Sequence, residues 1–368
     1  MTVDTATQAE ELRGEIRRYL ASTTVTAEAA IRRRSEGLDR AEWRRLADQL
    51  GIQGVFLAEA NGGAGLGLAE LLVVQEELGR ILFAGPYLST VVLGATAIEA
   101  VGDRGAMERH LAAIASGTRT AAVVMPPMRG AADHLSYPIQ AKPEGSGAVL
   151  DGALDHVIDG DVADLLLVFG RTPEGVVLFE VPVPSEGLVI TPMPGVDLHR
   201  RLARVELAGV RARALGDSAQ SRNALHAALT AGHLALAAES LGGAARCLEM
   251  AVDYAKSRVQ FGSVIGSFQA VKHRCVEMLV QLELSRSALA LARRMSAEGE
   301  LDKAAAAAKA ICCEAFFKVA AENVQIHGGI GFTWEHPAHL YFRRAKSNEL
   351  LMGHPSEHRR ELATLLGV

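Results

Sequence analysis

Hydrophobic positions change their period twice along this chain. In Ala41–Leu50, Leu68–Leu82 and Ala106–Ala115, apolar residues recur at three- and four-residue spacing, as in helices with one buried face. From Thr118 to about Arg213 the period shortens. Ala121–Met125, Gly147–Leu150, Leu165–Phe169, Val176–Val181, Leu188–Thr191 and Arg204–Leu207 are β-favouring runs bounded by Gly, Pro and Asp turns. Their spacing predicts a small antiparallel barrel or sandwich. Near Ala214 the helical period returns. Segments 218–257, 266–298 and 301–327 are long enough for a four-helix bundle, with a shorter helix after Pro355. In Pro355-Ser356-Glu357 a proline and an acidic group favour a first turn. The expected fold class is mainly α with a central β domain, divided as 1–117 helical, 118–213 β and 214–368 helical bundle.

Composition narrows the class. A chain of 368 residues is too long for one small core. Hydrophobic content of 49% and charged content of 22% are globular values, and only 5% is aromatic, so Ala and Leu dominate, which favours helix. The net charge of -5, with no basic stripe interleaved with aromatics, argues against a nucleic-acid partner. Met1–Glu11 has neither a basic nor an apolar leader region, so no secretory signal is expected. The longest Ala-rich stretch is broken by Lys309, so no membrane span is expected either. Cys247, Cys275, Cys312 and Cys313 lack zinc-ligand spacing and read as buried free thiols in a reducing cytoplasm. The Gly-rich stretch Asn61–Gly67 reads as a turn before a helix, because no strand precedes it and no Lys-Ser/Thr pair follows its glycines.

Chemistry concentrates in two glycine-punctuated segments, Arg258–Gln269 and Gln325–Thr333. The forked guanidinium of Arg258 suits phosphate oxygens. Gly328-Gly329 lets a backbone approach a ligand closely. Taken singly, the same residues also fit a local ion pair and a helix end.

As a set, they resemble the acyl-CoA dehydrogenase family, and the resemblance extends over nearly the whole chain. Gly51–Leu66 and Glu76-Glu77-Leu78-Gly79-Arg80 look like the helix-loop-helix that walls the acyl chain. Tyr254–Gly262 followed by Ser267–His273 is most similar to actinobacterial subunits that form α2β2 heterotetramers on steroid side-chain CoA thioesters. The resemblance implies that Arg258 contacts the pyrophosphate of an FAD held mainly by a neighbouring subunit. It places Gln260 and Phe261 near the adenine end, with Ile265 and Gln269 flanking the adenosine. Gln325 is expected to donate to the ribose or pyrophosphate, beside Gly328 and Gly329.

The half-site that a family member builds for itself is eroded. A hydroxyl-bearing loop is expected where this chain has Val124–Asp133, with Pro126 and Pro127 lacking N–H groups. An aromatic residue and a hydroxyl are expected where it has Val157 and Asp159, the latter an unfavourable neighbour for a reduced flavin. The family's catalytic Glu corresponds to Met352, and its alternative position to Gly232; neither is acidic. No catalytic residue and no metal site are therefore expected. His327 and His354 are expected to be structural, and Arg200, Arg201 and Arg204 to be interface or solvent groups. The implied protein is a flavin-dependent, heteromeric enzyme subunit in the cytoplasm. It would act on an acyl-CoA with a paralogous partner, sharing FAD and passing electrons to electron-transfer flavoprotein. Two alternatives stay open at this point: a self-sufficient homotetramer using Glu349 or Glu239 as a relocated base, and a flavin-free structural paralogue.

Overall fold

The computed structural model describes residues 5–21, 25–26, 29, 31, 35–126, 137–145, 147–296 and 299–368. The N-terminal helices are α1 (Thr5–Leu20), α2 (Arg40–Leu50) and α3 (Leu68–Arg80). Asp39 caps α2 by accepting the Ala41 and Glu42 N–H groups at 3.0 and 2.9 Å, and Gly51 ends it with φ +62°. The Gly-rich stretch is a turn that delivers the chain to α3, whose first-turn Glu70 accepts the Gly67 N–H. Tyr87–Ala95, a run with no helical period, forms a wholly buried π-helical segment that continues into α4 (Thr96–Val101). Apolar residues all round it leave no polar face to mark a period. α5 (Arg104–Ala115) completes this region.

Seven strands follow: β1 (Ala121–Val124), β2 (Gln140–Glu144), β3 (Gly147–Ile158), β4 (Leu165–Thr172), β5 (Gly175–Pro182), β6 (Leu188–Met193) and β7 (Leu202–Leu215). Pairings β4–β2–β3–β7–β5 close back on β4, so the domain is a barrel; β1 adds to β4 in parallel and β6 to β7. β2 carries no β-branched residue and buries only Ala141, which is why the sequence pattern does not reveal it. β3 and β7 extend well beyond their apolar cores because they pair with each other over most of their length. Leu150, Leu166, Phe179 and Val205 fill the barrel.

The C-terminal bundle comprises α6 (Ser218–Ser257), α7 (Gln269–Ser296), α8 (Leu301–His327), α9 (Ala338–Leu350) and α10 (Pro355–Leu366). A reciprocal Asp217–Gln220 capping pair starts α6. α3 and α6 cross at glycine contacts: a Cβ on Gly242 would sit 1.8 Å from the Glu76 carbonyl oxygen, and one on Gly79 would sit 2.2 Å from that of Glu239. Cys312 and Cys313 are buried on different sides of α8, against Ser285 and Ser240; all four cysteines are free, but Cys275 is only half-buried.

A buried ionic cluster locks the barrel onto the bundle. Glu239 of α6 accepts from Arg200 at 2.7 Å and from Arg344 at 2.6 Å. Arg344 also holds Asp197, and Arg200 donates to Asn348 at 3.0 Å. The expectation that Arg200 is an interface or solvent group is corrected: it is 7% exposed and clamps two domains of one chain. Arg201 pairs with Asp161, whereas Arg204 pairs with Asp155 at the surface. Among the described residues, no helix is long and apolar enough to cross a membrane.

Candidate cofactor face and catalytic position

The end of α6 and the end of α8 meet through two rings. Tyr254 stacks on His327 with centroids 4.4 Å apart, and His327 meets His336 at a tilt of 36° with centroids 4.1 Å apart. This joins the two glycine-punctuated segments into one face. Arg258 ends α6 and presents an exposed guanidinium, while its carbonyl accepts the Ile265 N–H at 2.8 Å. Between these residues the chain turns through a hairpin, Val259–Gln260 against Ser263–Val264. Phe261, at its tip, is 94% exposed with φ +54°, and its ring meets Phe268 edge-on at 6.3 Å. Gln260 and Gln269 are exposed and Ile265 is half-buried.

Across the face, Gln325 is exposed on the last turn of α8. Gly328 ends that helix with φ +63°, and nothing lies within 4 Å of a Cβ placed at Gly328 or Gly329. Phe332 and Trp334 follow, 74% and 52% exposed. A monomer does not ordinarily project such a group of aromatics into water without a partner to cover them. An exposed guanidinium, open backbone and flat apolar rings together suit a ligand that carries both phosphate and aromatic surface. Tyr254 and His336 are absent from the sequence-predicted set, because no spacing rule shows that their rings meet His327.

His327 also bonds the Asn323 carbonyl through Nδ1, and burial lowers its pKa. His336 is pushed down to about 4, first by burial and then by His327 and His339. These rings are neutral near pH 7. His354 caps α10, with its Nδ1 facing the Ser356 N–H at 3.3 Å. Among the described residues, no group of three potential metal ligands occurs.

A cleft of about 530 Å3 runs between the barrel and the segment after α9. Met125, Pro126, Leu154, His156 and Val157 form its barrel wall, and Leu351 and Met352 its bundle wall. Pro127 to Asp133, part of the expected flavin loop, lie outside the described residues. The Pro126 wall offers no N–H donor, and Val157 is 3% exposed in the barrel core. Among the described residues, Pro126 and Val157 of this wall carry no side-chain hydrogen-bond donor, whereas Arg200 and Lys346 also line the cleft. The expected place of Asp159 beside a flavin is corrected. A β-bulge between Leu154 and Val157, with His156 at φ +64°, shifts the following residues by one. Asp159 turns inward at φ +54°, accepts the Ser89 hydroxyl at 2.7 Å and is 6% exposed; burial raises its pKa to about 6.

The two positions read as the family's base sites come together. A Cβ on Gly232 would lie 2.5 Å from the Met352 Cε and 2.8 Å from Leu93 Cδ2, so a thioether and a leucine fill that point. Lys309, fully buried, steadies this segment by donating to the Asn348 and Gly353 carbonyls at 2.8 and 3.2 Å. Glu239, one alternative base, is held down to about 2: burial alone would raise it, but Arg200 and Arg344 outweigh burial. Glu349, the other, is 8% exposed and paired with Lys346 at 2.5 Å, with His354 at 3.5 Å.

Known proteins match this arrangement along its length. Residues 6–118 match the acyl-CoA dehydrogenase N-terminal domain, and 222–365 match the acyl-CoA dehydrogenase C-terminal domain. Acyl-CoA dehydrogenase IpdE2 of Mycolicibacterium smegmatis is 34% identical over 326 residues, 89% of this chain and 88% of that protein. Among solved structures, the ChsE4–ChsE5 complex from Mycobacterium tuberculosis superposes with a TM-score of 0.87 at 32% identity, covering 100% of this chain and 98% of that one. A variant of the Tcur3481–Tcur3483 steroid ACAD does so with a TM-score of 0.87 at 32% identity, covering 99% of both. The chain belongs to the acyl-CoA dehydrogenase family, oxidoreductases acting on CH–CH bonds, and within it is similar to the actinobacterial, steroid-related members of heteromeric enzymes.

Proposed function

We propose that this chain is the base-less subunit of an α2β2 acyl-CoA dehydrogenase, and that it completes the FAD site of a paralogous partner. The observation that carries this reading is the contact of Met352 with Gly232: both expected base positions converge on one point, and an apolar side chain occupies it. Glu239 is committed to two guanidiniums and Glu349 to Lys346, which disfavours a relocated base. The exposed face supports the other half of the proposal. Arg258, Gln260, Phe261, Ile265, Gln269, Gln325, Gly328 and Gly329 would hold the outer, dinucleotide part of the partner's FAD. When bound, that flavin supplies the acceptor for the β-hydride, and the partner's carboxylate removes the α-proton. The roles of this chain are to hold phosphate charge at Arg258 and to exclude water with Phe261, Phe332 and Trp334. Similarity to the steroid ACAD and ChsE4–ChsE5 structures supports a steroid-derived acyl-CoA as substrate and a heteromeric assembly. Electron-transfer flavoprotein is proposed as acceptor on family grounds.

The test is purification of the chain alone and with a paralogue carrying the missing Glu. Flavin and acyl-CoA oxidation are expected only in the complex. Arg258→Ala is expected to weaken flavin retention there about ten- to a hundred-fold, as befits loss of one charge-assisted phosphate contact. Stoichiometric flavin and turnover in the isolated chain would overturn the proposal.

A further inference from the structure

The loop that carries Gly328, Gly329, Phe332 and Trp334 is closed at its base by two imidazoles. His327 is the last residue of α8, and His336 follows the loop just before α9. Their rings lie 4.1 Å apart. Each ring is also held by the backbone. His327 Nδ1 donates to the Asn323 carbonyl at 2.8 Å, and His336 Nδ1 accepts the Ala338 N–H at 3.2 Å. The loop folds back on the first of them: a Cβ on Gly331 would lie 3.1 Å from His327 Cβ and 2.9 Å from the Val324 carbonyl oxygen.

The other half of the cofactor face refers to the same point. Tyr254, on the last turn of α6, stacks on His327 with 30° between the ring planes. The Arg258 N–H closes that turn on the Tyr254 carbonyl at 2.8 Å. The Phe261 hairpin returns to the same turn, since a Cβ on Gly266 would sit 2.8 Å from the Ala255 carbonyl oxygen. His327 is 4% exposed, whereas Tyr254 and His336 are half-buried, at the seam between the bundle core and the open face.

We propose that Tyr254 and His336 are positioning residues: through His327, their rings hold Arg258 and the Gly328–Gly329 backbone at the separation that the partner's FAD requires. The proposal rests on the subunit role given above. Groups that bind a cofactor must be held to within about 0.5 Å by neighbours whose own conformations are fixed. Flat rings in series do this, whereas a leucine of comparable bulk has rotamers to choose from.

The test uses the complex with the paralogous subunit and reads its dissociation constant for FAD. Tyr254→Phe and His336→Phe keep a flat ring and are expected to stay within about two-fold of the native constant. Tyr254→Leu and His336→Leu remove the ring and are expected to weaken FAD about ten-fold in complexes that still elute as assembled tetramers. Both His336 variants lose the Nδ1 acceptor, so the difference between them reports the ring alone. A double variant separates positioning from plain destabilisation. If Tyr254 acts through the placement of Arg258, the loss in Tyr254→Leu with Arg258→Ala falls short of the product of the two single losses by about three-fold or more. Should Tyr254→Leu fail to fold, the half-buried His336 pair and its double variant with Arg258→Ala carry the same comparison. Leu variants that hold FAD as tightly as the Phe variants, or a double variant that shows the full product, would overturn the proposal while leaving the Arg258 contact standing. An FAD affinity unchanged by Arg258→Ala itself would remove the subunit role and this inference with it.

Discussion

Met352 lies against Gly232 so closely that a Cβ at position 232 would stand 2.5 Å from the methionine Cε and 2.8 Å from its Sδ. Gly232 sits inside α6, where glycine ordinarily costs about 1 kcal/mol relative to alanine. That cost is offset by the room it leaves for Met352. With Leu93 Cδ2 also 2.8 Å from that point, Gly232→Ala should be unfavourable in the native background and less so, by about 1 kcal/mol, when combined with Met352→Ala. Denaturant unfolding of the single and double variants measures this coupling; simple additivity would show that the two side chains do not compete for the same space.

Glu239 separates a structural carboxylate from a catalytic one. Replacing it by Gln leaves Arg200 and Arg344 buried without their shared anion, a change that typically costs about 3–5 kcal/mol. The pH dependence has a definite sign. The folded carboxylate is held at about 2, below its ordinary value of 4.5, so its contribution is present above pH 4.5 and is lost as pH falls through 2. Glu239→Gln should flatten the acid limb of the stability curve. A variant that keeps native stability but loses turnover in the complex would instead revive Glu239 as a base.

Much of the fold is legible in the sequence because its signals are local. The limits of α6 follow from an Asp217–Gln220 cap at one end and Arg258 leaving helical geometry at the other, and both lie where the apolar period begins and stops. β2 is not legible, because its polar residues are held by pairing with β3 and not by burial. For the site, the exposure of Arg258 and Phe261 is legible as residue types, since a cation and an aromatic ring beside a glycine turn need no burial in the monomer. The barrel side misleads at Asp159 because a likeness of motif does not show that the chain leaves the strand after Ile158 and turns Asp159 inward onto Ser89. Arg200 misleads for a different reason. Its partners Glu239 and Asn348 are 39 and 148 residues away, and no spacing rule reaches that far.

Asp159 makes the chain less stable at neutral pH than it need be. Burial raises its pKa from 3.8 to about 6, so its protonated form is favoured in the folded state. Its stabilising contribution is present below pH 3.8 and is lost as pH rises through 6. An asparagine side chain in its place would keep a neutral acceptor for the Ser89 hydroxyl and tolerates φ +54°. Asp159→Asn should therefore raise stability at pH 8 by up to roughly 3 kcal/mol and remove the loss between about pH 4 and 6. Equal stability of the two proteins at pH 8 would mean that the Asp159 carboxylate finds hydration or a cation in solution.

Phe261 tests whether the cofactor face serves the chain itself or a neighbour. It is 94% exposed and sits at φ +54°, a conformation that costs a bulky residue strain and that glycine adopts freely. Among the described residues, the ring contact that the structure gives Phe261 is an edge contact with Phe268, itself 39% exposed. Phe261→Gly should leave the melting temperature of the isolated chain unchanged or raise it slightly, the strain relief being about 1 kcal/mol at most. In the complex with the paralogous subunit the same substitution should lower both flavin occupancy and tetramer stability, read from flavin absorbance after gel filtration. The opposite pattern, an isolated chain that melts earlier and a complex that keeps its flavin, would mean that Phe261 is part of this chain's own packing and that the face is not built for a partner.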